Sequence, residues 1–198
     1  MNKLLTLLCF ITAAGMLGGC ATSRIIDSEV QTFSTLQTVP DAATFRFDRL
    51  PSQQAQAAQH ARLEAIAAQA LGRVGFKQDG GAARFAVQIG ARTDRDSPEF
   101  NPLYGPGWPE RSRIITGSGR VIWAPYMRYP PPPSVYRREV SLVMRETASN
   151  QIVYETHAAH HGGWSEDNVT LAAMFEAALR DFPNPLAGPR RIEVEIAR

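Results

Sequence analysis

Two spacings of apolar residues alternate along this chain. Period-two alternation appears in Glu29 to Thr35 and again in Thr44-Phe45-Arg46-Phe47-Asp48, where the two phenylalanines share one face. Pro51 and Ser52 end that strand, and Ser52 is placed to cap the next element. From Gln53 to Val74, Leu63, Ile66, Ala67, Ala70, Leu71 and Val74 recur at helical spacing and form one stripe. Gln59, Arg62, Gln69 and Arg73 occupy the opposite face, and Gly72 and Gly75 sit where a helix terminus favours a left-handed residue.

Alternation returns in Arg84 to Ala91, which predicts a strand burying Phe85, Val87 and Ile89. Val135 to Glu146 places Tyr136, Val140, Leu142 and Met144 on one face, Thr147 to Asn150 supplies turn residues, and Gln151 to His161 completes a hairpin. Ser165, with Glu166 and Asp167 behind it, reads as a cap and acidic first turn of a second helix. Its stripe is Leu171, Met174, Phe175, Ala178, Leu179 and Phe182, and Pro183 ends it. Ile192, Val194 and Ile196 then alternate with Arg191, Glu193 and Glu195 in a last strand.

Between Pro98 and Pro133 lie nine of the fourteen prolines and four glycines, so no regular central element can run through most of that span. Within it, Arg113 to Thr116 and Arg120 to Trp123 flank Gly117-Ser118-Gly119, a candidate small hairpin, and Pro130 to Pro133 favours polyproline II. One-sided helices need an apolar surface, and one-sided strands offer it. The pattern therefore predicts an α+β fold: an antiparallel or mixed β-sheet with two helices packed on one face, plus a long Pro/Gly/aromatic-rich excursion over residues 98–133.

The amino terminus has a different character. Lys3 precedes an apolar run from Leu4 to Met16, and small residues follow, which is the layout of an export signal. A transmembrane helix is the competing reading, but the uncharged window contains three glycines and lacks a stop-transfer cluster. Leu17-Gly18-Gly19-Cys20 resembles the lipobox of bacterial lipoproteins. That resemblance implies cleavage before Cys20, a diacylglycerol on its sulfur and an acylated new amino group. Two or three acyl chains would make release negligible, since each buried methylene adds about 0.8 kcal/mol. Ala21, in place of the aspartate that retains such proteins at the inner membrane, implies transfer to the outer membrane. The expected organisation is a signal peptide over 1–19, a short tether over 20–28 and a single domain over 29–198.

The whole order resembles bacterial lipoproteins carrying the domain of unknown function 4136. The residues that carry the resemblance are the lipobox, the Gly75-Phe76 helix end, the hairpin at Glu146 to Val153 and Phe182-Pro183. It implies an envelope location and this fold, and it implies no reaction.

Composition narrows the chemistry further. With 21 basic and 19 acidic side chains the formal charge is +2, too small and dispersed to argue for nucleic acid. Cys9 and Cys20 are the only cysteines, so the folded part holds no disulfide, zinc knuckle or cysteine nucleophile. His157, His160 and His161 are candidate metal ligands, but on a strand His160 points away from the other two, and a solvated strand end is the simpler reading. His60 stands on the first helix with no ligand pair expected four residues on. Gly117-Ser118-Gly119 is not a nucleophile elbow, and Glu166 with Asp167 reads as helix-terminus charge.

Trp108, Trp123, Tyr126, Tyr129 and Tyr136 interleave with Arg111, Arg113, Arg120, Arg128, Arg137 and Arg138. This composition suits a contact with an envelope protein, glycan or lipopolysaccharide, or else a loop packed by its own aromatics with its arginines solvated. The expectation is a lipid-anchored periplasmic lipoprotein of the outer membrane, lipidated at Cys20. It would be a non-enzymatic structural or binding module, with no catalytic residue, cofactor or metal. The alternatives are an accessory subunit of a lipid or lipopolysaccharide transport complex and, behind it, a metal-dependent or hydrolytic enzyme.

Overall fold

The computed structural model describes residues 23–41, 43–96, 112–115, 120–124, 135–163, 165 and 167–197. The strands are β1 (Ser23–Ser34), β2 (Thr44–Phe47), β3 (Lys77–Gln78), β4 (Phe85–Asp96), β5 (Ser112–Ile115), β6 (Val121–Ala124), β7 (Val135–Glu146), β8 (Ile152–Gly162) and β9 (Arg190–Ala197). The helices are α1 (Pro51–Gln54), α2 (Ala57–Arg73) and α3 (Asp167–Ala178).

Seven strands form one mixed sheet in the order β3-β2-β4-β7-β8-β1-β9, and β5 and β6 pair separately. β2 runs parallel to β3 and β4, and every other pair is antiparallel. Alternation aims Ile26, Val30, Phe85, Val87, Ile89, Val140, Leu142, Met144, Tyr154, Ala158 and Val194 to one buried face. α3 covers that face over β1, β8 and β9, while α2 lies over β4 and against α3. The other face carries charged and polar residues, including Glu29, Arg137, Glu139 and His157. The expected α+β architecture is therefore present as a mixed sheet with helices on one side.

The α2 stripe buries Ala67, Ala70 and Leu71 and packs Leu63, Ile66 and Val74 against the core. α3 is buried almost all round, from Thr170 to Ala178, because it is wedged between the sheet and α2. Phe76 links the parts: its ring meets Phe45, Phe85 and Phe182 edge-to-face at 6.3, 5.8 and 5.2 Å, and Phe182 meets Tyr154 at 5.0 Å. Gly75 holds the left-handed conformation that turns the chain from α2 to Phe76, with φ of +96°.

Three expectations need correction. Ser52 does not cap a long helix: Pro51 opens the short α1, whose preceding Leu50 N–H donates to Gln53 Oε1 at 2.9 Å, and α2 starts afresh at Ala57. Residues 23–28 are not a tether, because β1 already pairs there with β9, Ser23 opposite Ala197 and Ile26 opposite Val194. Adjacent Ile25 and Ile26 hid the alternation; one is exposed and the other wholly buried. The hairpin within the excursion exists with β5 and β6 in antiparallel register, Ile114 opposite Ile122, but each strand is shifted by one residue from its expected bounds. The rest of the excursion, with the expected polyproline run and most of its aromatics, lies outside the described residues.

Candidate functional site

The chain's distinctive features converge at one end of the sheet. β1 begins there at Ser23, three residues after Cys20, which itself lies outside the described residues. β8 ends there, since Tyr136 pairs with Gly162, and β4 leaves and β7 enters there, since Asp96 pairs with Val135. Residues 97–134 thus depart from and return to adjacent positions at that end.

Beneath it lies a row of polar side chains on the helix-covered face. Thr93 pairs with Arg138 and Arg138 with His160 across β4, β7 and β8. Arg138 is wholly buried, on the same parity as Val140, Leu142 and Met144. Its Nε and Nη2 donate to Asp167 Oδ1 at 2.8 and 2.6 Å, and its guanidinium stacks on Tyr136 at 4.9 Å from the ring centre. Asp167 occupies the first turn of α3, where the helix dipole also favours a carboxylate. The ion pair therefore fastens the start of α3 to the middle of the sheet.

His160 is 3% exposed, and its Nδ1 stands 2.6 Å from the Asp27 carbonyl oxygen. A carbonyl only accepts, so Nδ1 carries a proton and donates it. Nε2 and the buried Ser28 Oγ have no hydrogen-bond partner among the described residues. The imidazole lies over Gly162, where an added Cβ would come within 2.6 Å of Nε2. Asp27 itself pairs with Arg191, whose hydrogen bond holds the carboxyl below the usual carboxylate range.

Two histidine and arginine expectations fail here. His160 is not part of a solvated strand end, although His157 and His161 are exposed, and Arg138 is not a solvated arginine of the aromatic stretch. Period two carried both answers: Arg138 shares the parity of Leu142, and His160 that of Tyr154. His60 does have a partner four residues on, with Nε2 3.8 Å from Glu64 Oε1. Among the described residues no group of three or more His, Cys, Asp or Glu is placed to hold a metal ion. Ser28 and His160 are both buried and share no hydrogen bond.

At the opposite end, a groove of about 620 Å3 runs between the end of β1, the start of β8 and residues 183–188, and Phe33, Ile152 and Leu186 expose apolar surface there. A second, more polar groove of about 500 Å3 lies between α2, β4 and the start of α3, lined by Gln53, Gln56, Gln59, His60 and Asn168.

The model of the family described as "Domain of unknown function (DUF4136)" matches residues 27–184. The chain belongs to the DUF4136 family. That match runs from within β1, past β2 to β8 and all three helices, to residue 184. No curated protein matches the sequence. Among solved structures, this DUF4136 chain is similar to a PDZ domain protein from Parabacteroides distasonis, with a TM-score of 0.50 at 13% identity over 96% of this chain. The chain spans 42% of that protein's length, and the likeness is one of fold. It is also similar to the PelC dodecamer from Paraburkholderia phytofirmans, at TM-score 0.42 and 13% identity, over 77% of this chain and 94% of that one. Among the described residues of this DUF4136 protein, no helix is long and apolar enough to cross a membrane.

Proposed function

We propose that this DUF4136 protein is a lipoprotein held in the outer membrane by acyl chains on Cys20, facing the periplasm and acting as a non-enzymatic structural or binding module of the envelope. One observation carries the reading: Leu17-Gly18-Gly19-Cys20 stands directly after a basic residue and an apolar run. Ala21 supports the outer rather than the inner membrane.

The test is metabolic labelling with palmitate in cells producing the full chain or its Cys20→Ser variant. Label in the full chain, absent from the variant, with the protein sedimenting in outer-membrane fractions, is the expected result. Label that persists in the variant, or a secreted chain without fatty acid, overturns the reading.

A further inference from the structure

The two edges of the seven-stranded sheet are unlike. β3 closes one with two residues, whereas β9 forms the other with eight. β9 pairs with β1 through an uninterrupted antiparallel register, and among the described residues no strand lies on its other side. Every second residue there turns its N–H and C=O away from β1, a template for one more strand. Edges that stay single are commonly blunted by proline, lysine, a bulge or short length, and the segment from Arg190 to Ile196 has none of these.

Its side chains specify what fits. A strand that joins β9 and keeps one continuous apolar face must match the parity of Ile192, Val194 and Ile196, of which Val194 is buried and the other two are half-buried. The outer face then carries Arg191, Glu193 and Glu195, all exposed. Run antiparallel about a twofold axis at Glu193, two copies of β9 place Arg191 opposite Glu195 of the second copy, and Glu195 opposite its Arg191. Beneath them Ile192 faces Val194 of the second copy, and Val194 faces its Ile192. Moving the axis to Val194 sets Glu193 against Glu195 twice, and moving it to Ile192 leaves only Arg190 to Val194 paired within the strand. The Glu193 axis therefore combines the longer overlap with two opposite-charge contacts, against a single like-charge contact at Glu193 itself. Arg191 already donates through Nη2 to Asp27 of its own chain, but its side chain is 72% exposed and a guanidinium has five donors.

We propose that β9 is a self-association surface: two copies of this chain join edge to edge, Arg190 to Ile196 against itself, into one continuous sheet with both helical layers on the same side. The pairing is isologous and uses the same edge of both copies, so it closes at two. The two residues of β3 at the other edge are too few to extend it.

Sedimentation equilibrium of the full-length protein in mild detergent should give the mass of two chains at micromolar concentration. Disulfide formation under mild oxidant reads the register. In Glu193→Cys the new thiol faces its own copy, at the Cα separation of about 4.5–5.5 Å found in antiparallel pairs, which a disulfide spans. In Glu195→Cys the two thiols stand about 13 Å apart along the strands and should not join. The unsubstituted chain, oxidised alongside, sets the background from Cys9 and Cys20. Glu195→Arg should raise the dissociation constant about tenfold, since two opposite-charge contacts become like-charge ones, and Glu193→Gln should lower it. A single-chain mass for the unsubstituted protein overturns the proposal. So do two chains without a cross-link at position 193 above background, or with equal cross-linking at 193 and 195. Should a cysteine variant fail to fold, a dissociation constant unmoved by Glu195→Arg overturns it as well.

Discussion

Arg138 and Asp167 meet across the boundary between sheet and helix: two nitrogens of a wholly buried guanidinium donate to a single carboxylate oxygen, Asp167 Oδ1, at 2.8 and 2.6 Å. The carboxylate is half-exposed, so the pair is asymmetric, with the desolvation cost falling on the arginine.

Removing the exposed member should therefore cost more than its own exposure suggests. Asp167→Ala takes two charge-assisted hydrogen bonds from a buried cation and should destabilise the fold by about 2 kcal/mol, less than a fully buried pair because water reaches Asp167. Arg138→Met, which replaces the charge by an apolar side chain of similar length, should cost less than Asp167→Ala. Urea midpoints for the two variants check this; the reverse order would show that packing of the arginine stem, not its charge, dominates.

A methyl group at Gly162 has no room, since it would meet His160 Nε2 at 2.6 Å and Cε1 at 3.2 Å, and that ring is held through Nδ1. Gly162→Ala should cost about 1–3 kcal/mol from overpacking. Gly72→Ala, on the exposed side of α2 with nothing within 4 Å, should instead stabilise by up to about 1 kcal/mol. Thermal unfolding of both variants should give shifts of opposite sign.

Tyr154 sits under α3 with its hydroxyl donating to the Ala178 carbonyl at 3.0 Å, and burial pushes its pKa up to about 12 from 10.0. Below pH 10 the phenol is neutral in both folded and unfolded chains and contributes no pH dependence. Between the two values the unfolded chain ionises first, so stability falls as pH rises, approaching about 1.4 kcal/mol per pH unit. Denaturant titrations from pH 9 to 11.5 should show that decline in the native protein and a flatter one in Tyr154→Phe. Equal slopes would refute the assignment to Tyr154.

Asp27 works in the opposite direction. Its carboxyl is held below the ordinary value of 3.8, chiefly by the hydrogen bond from Arg191. The stabilisation is present above that ordinary value and is lost as pH falls through the lower folded one. Asp27→Asn should lower stability at neutral pH and shrink the loss on acidification, and Arg191→Ala should do the same. An unchanged acid limb in both would remove the pair from the stability account.

Much of the fold was legible in particular residues. Phe85, Val87 and Ile89 announce β4, Tyr136 to Met144 announce β7, and the Leu63 to Val74 stripe announces α2, because burial on one face imposes a spacing that survives in the letters. β1 was read short because Ile25 and Ile26 sit side by side, and only pairing with β9 shows which of them is inside. Arg138 and His160 carried the same parity signal as their apolar neighbours. Their polarity masked it, since a buried charge is tolerated only where a partner waits, and Asp167 and the Asp27 carbonyl come from distant parts of the chain.

By itself the sequence determined the type and apolar face of α2, α3, β4, β7 and β9, and the run Leu17-Gly18-Gly19-Cys20 that resembles a lipobox, since each depends on residues near one another along the chain. Strand order, the ion pair that fastens α3 to the sheet and the meeting of the β1 start with both ends of residues 97–134 were decided only by tertiary structure. Those relations join positions far apart in the chain, and only the packing of the sheet against its helices brings them together.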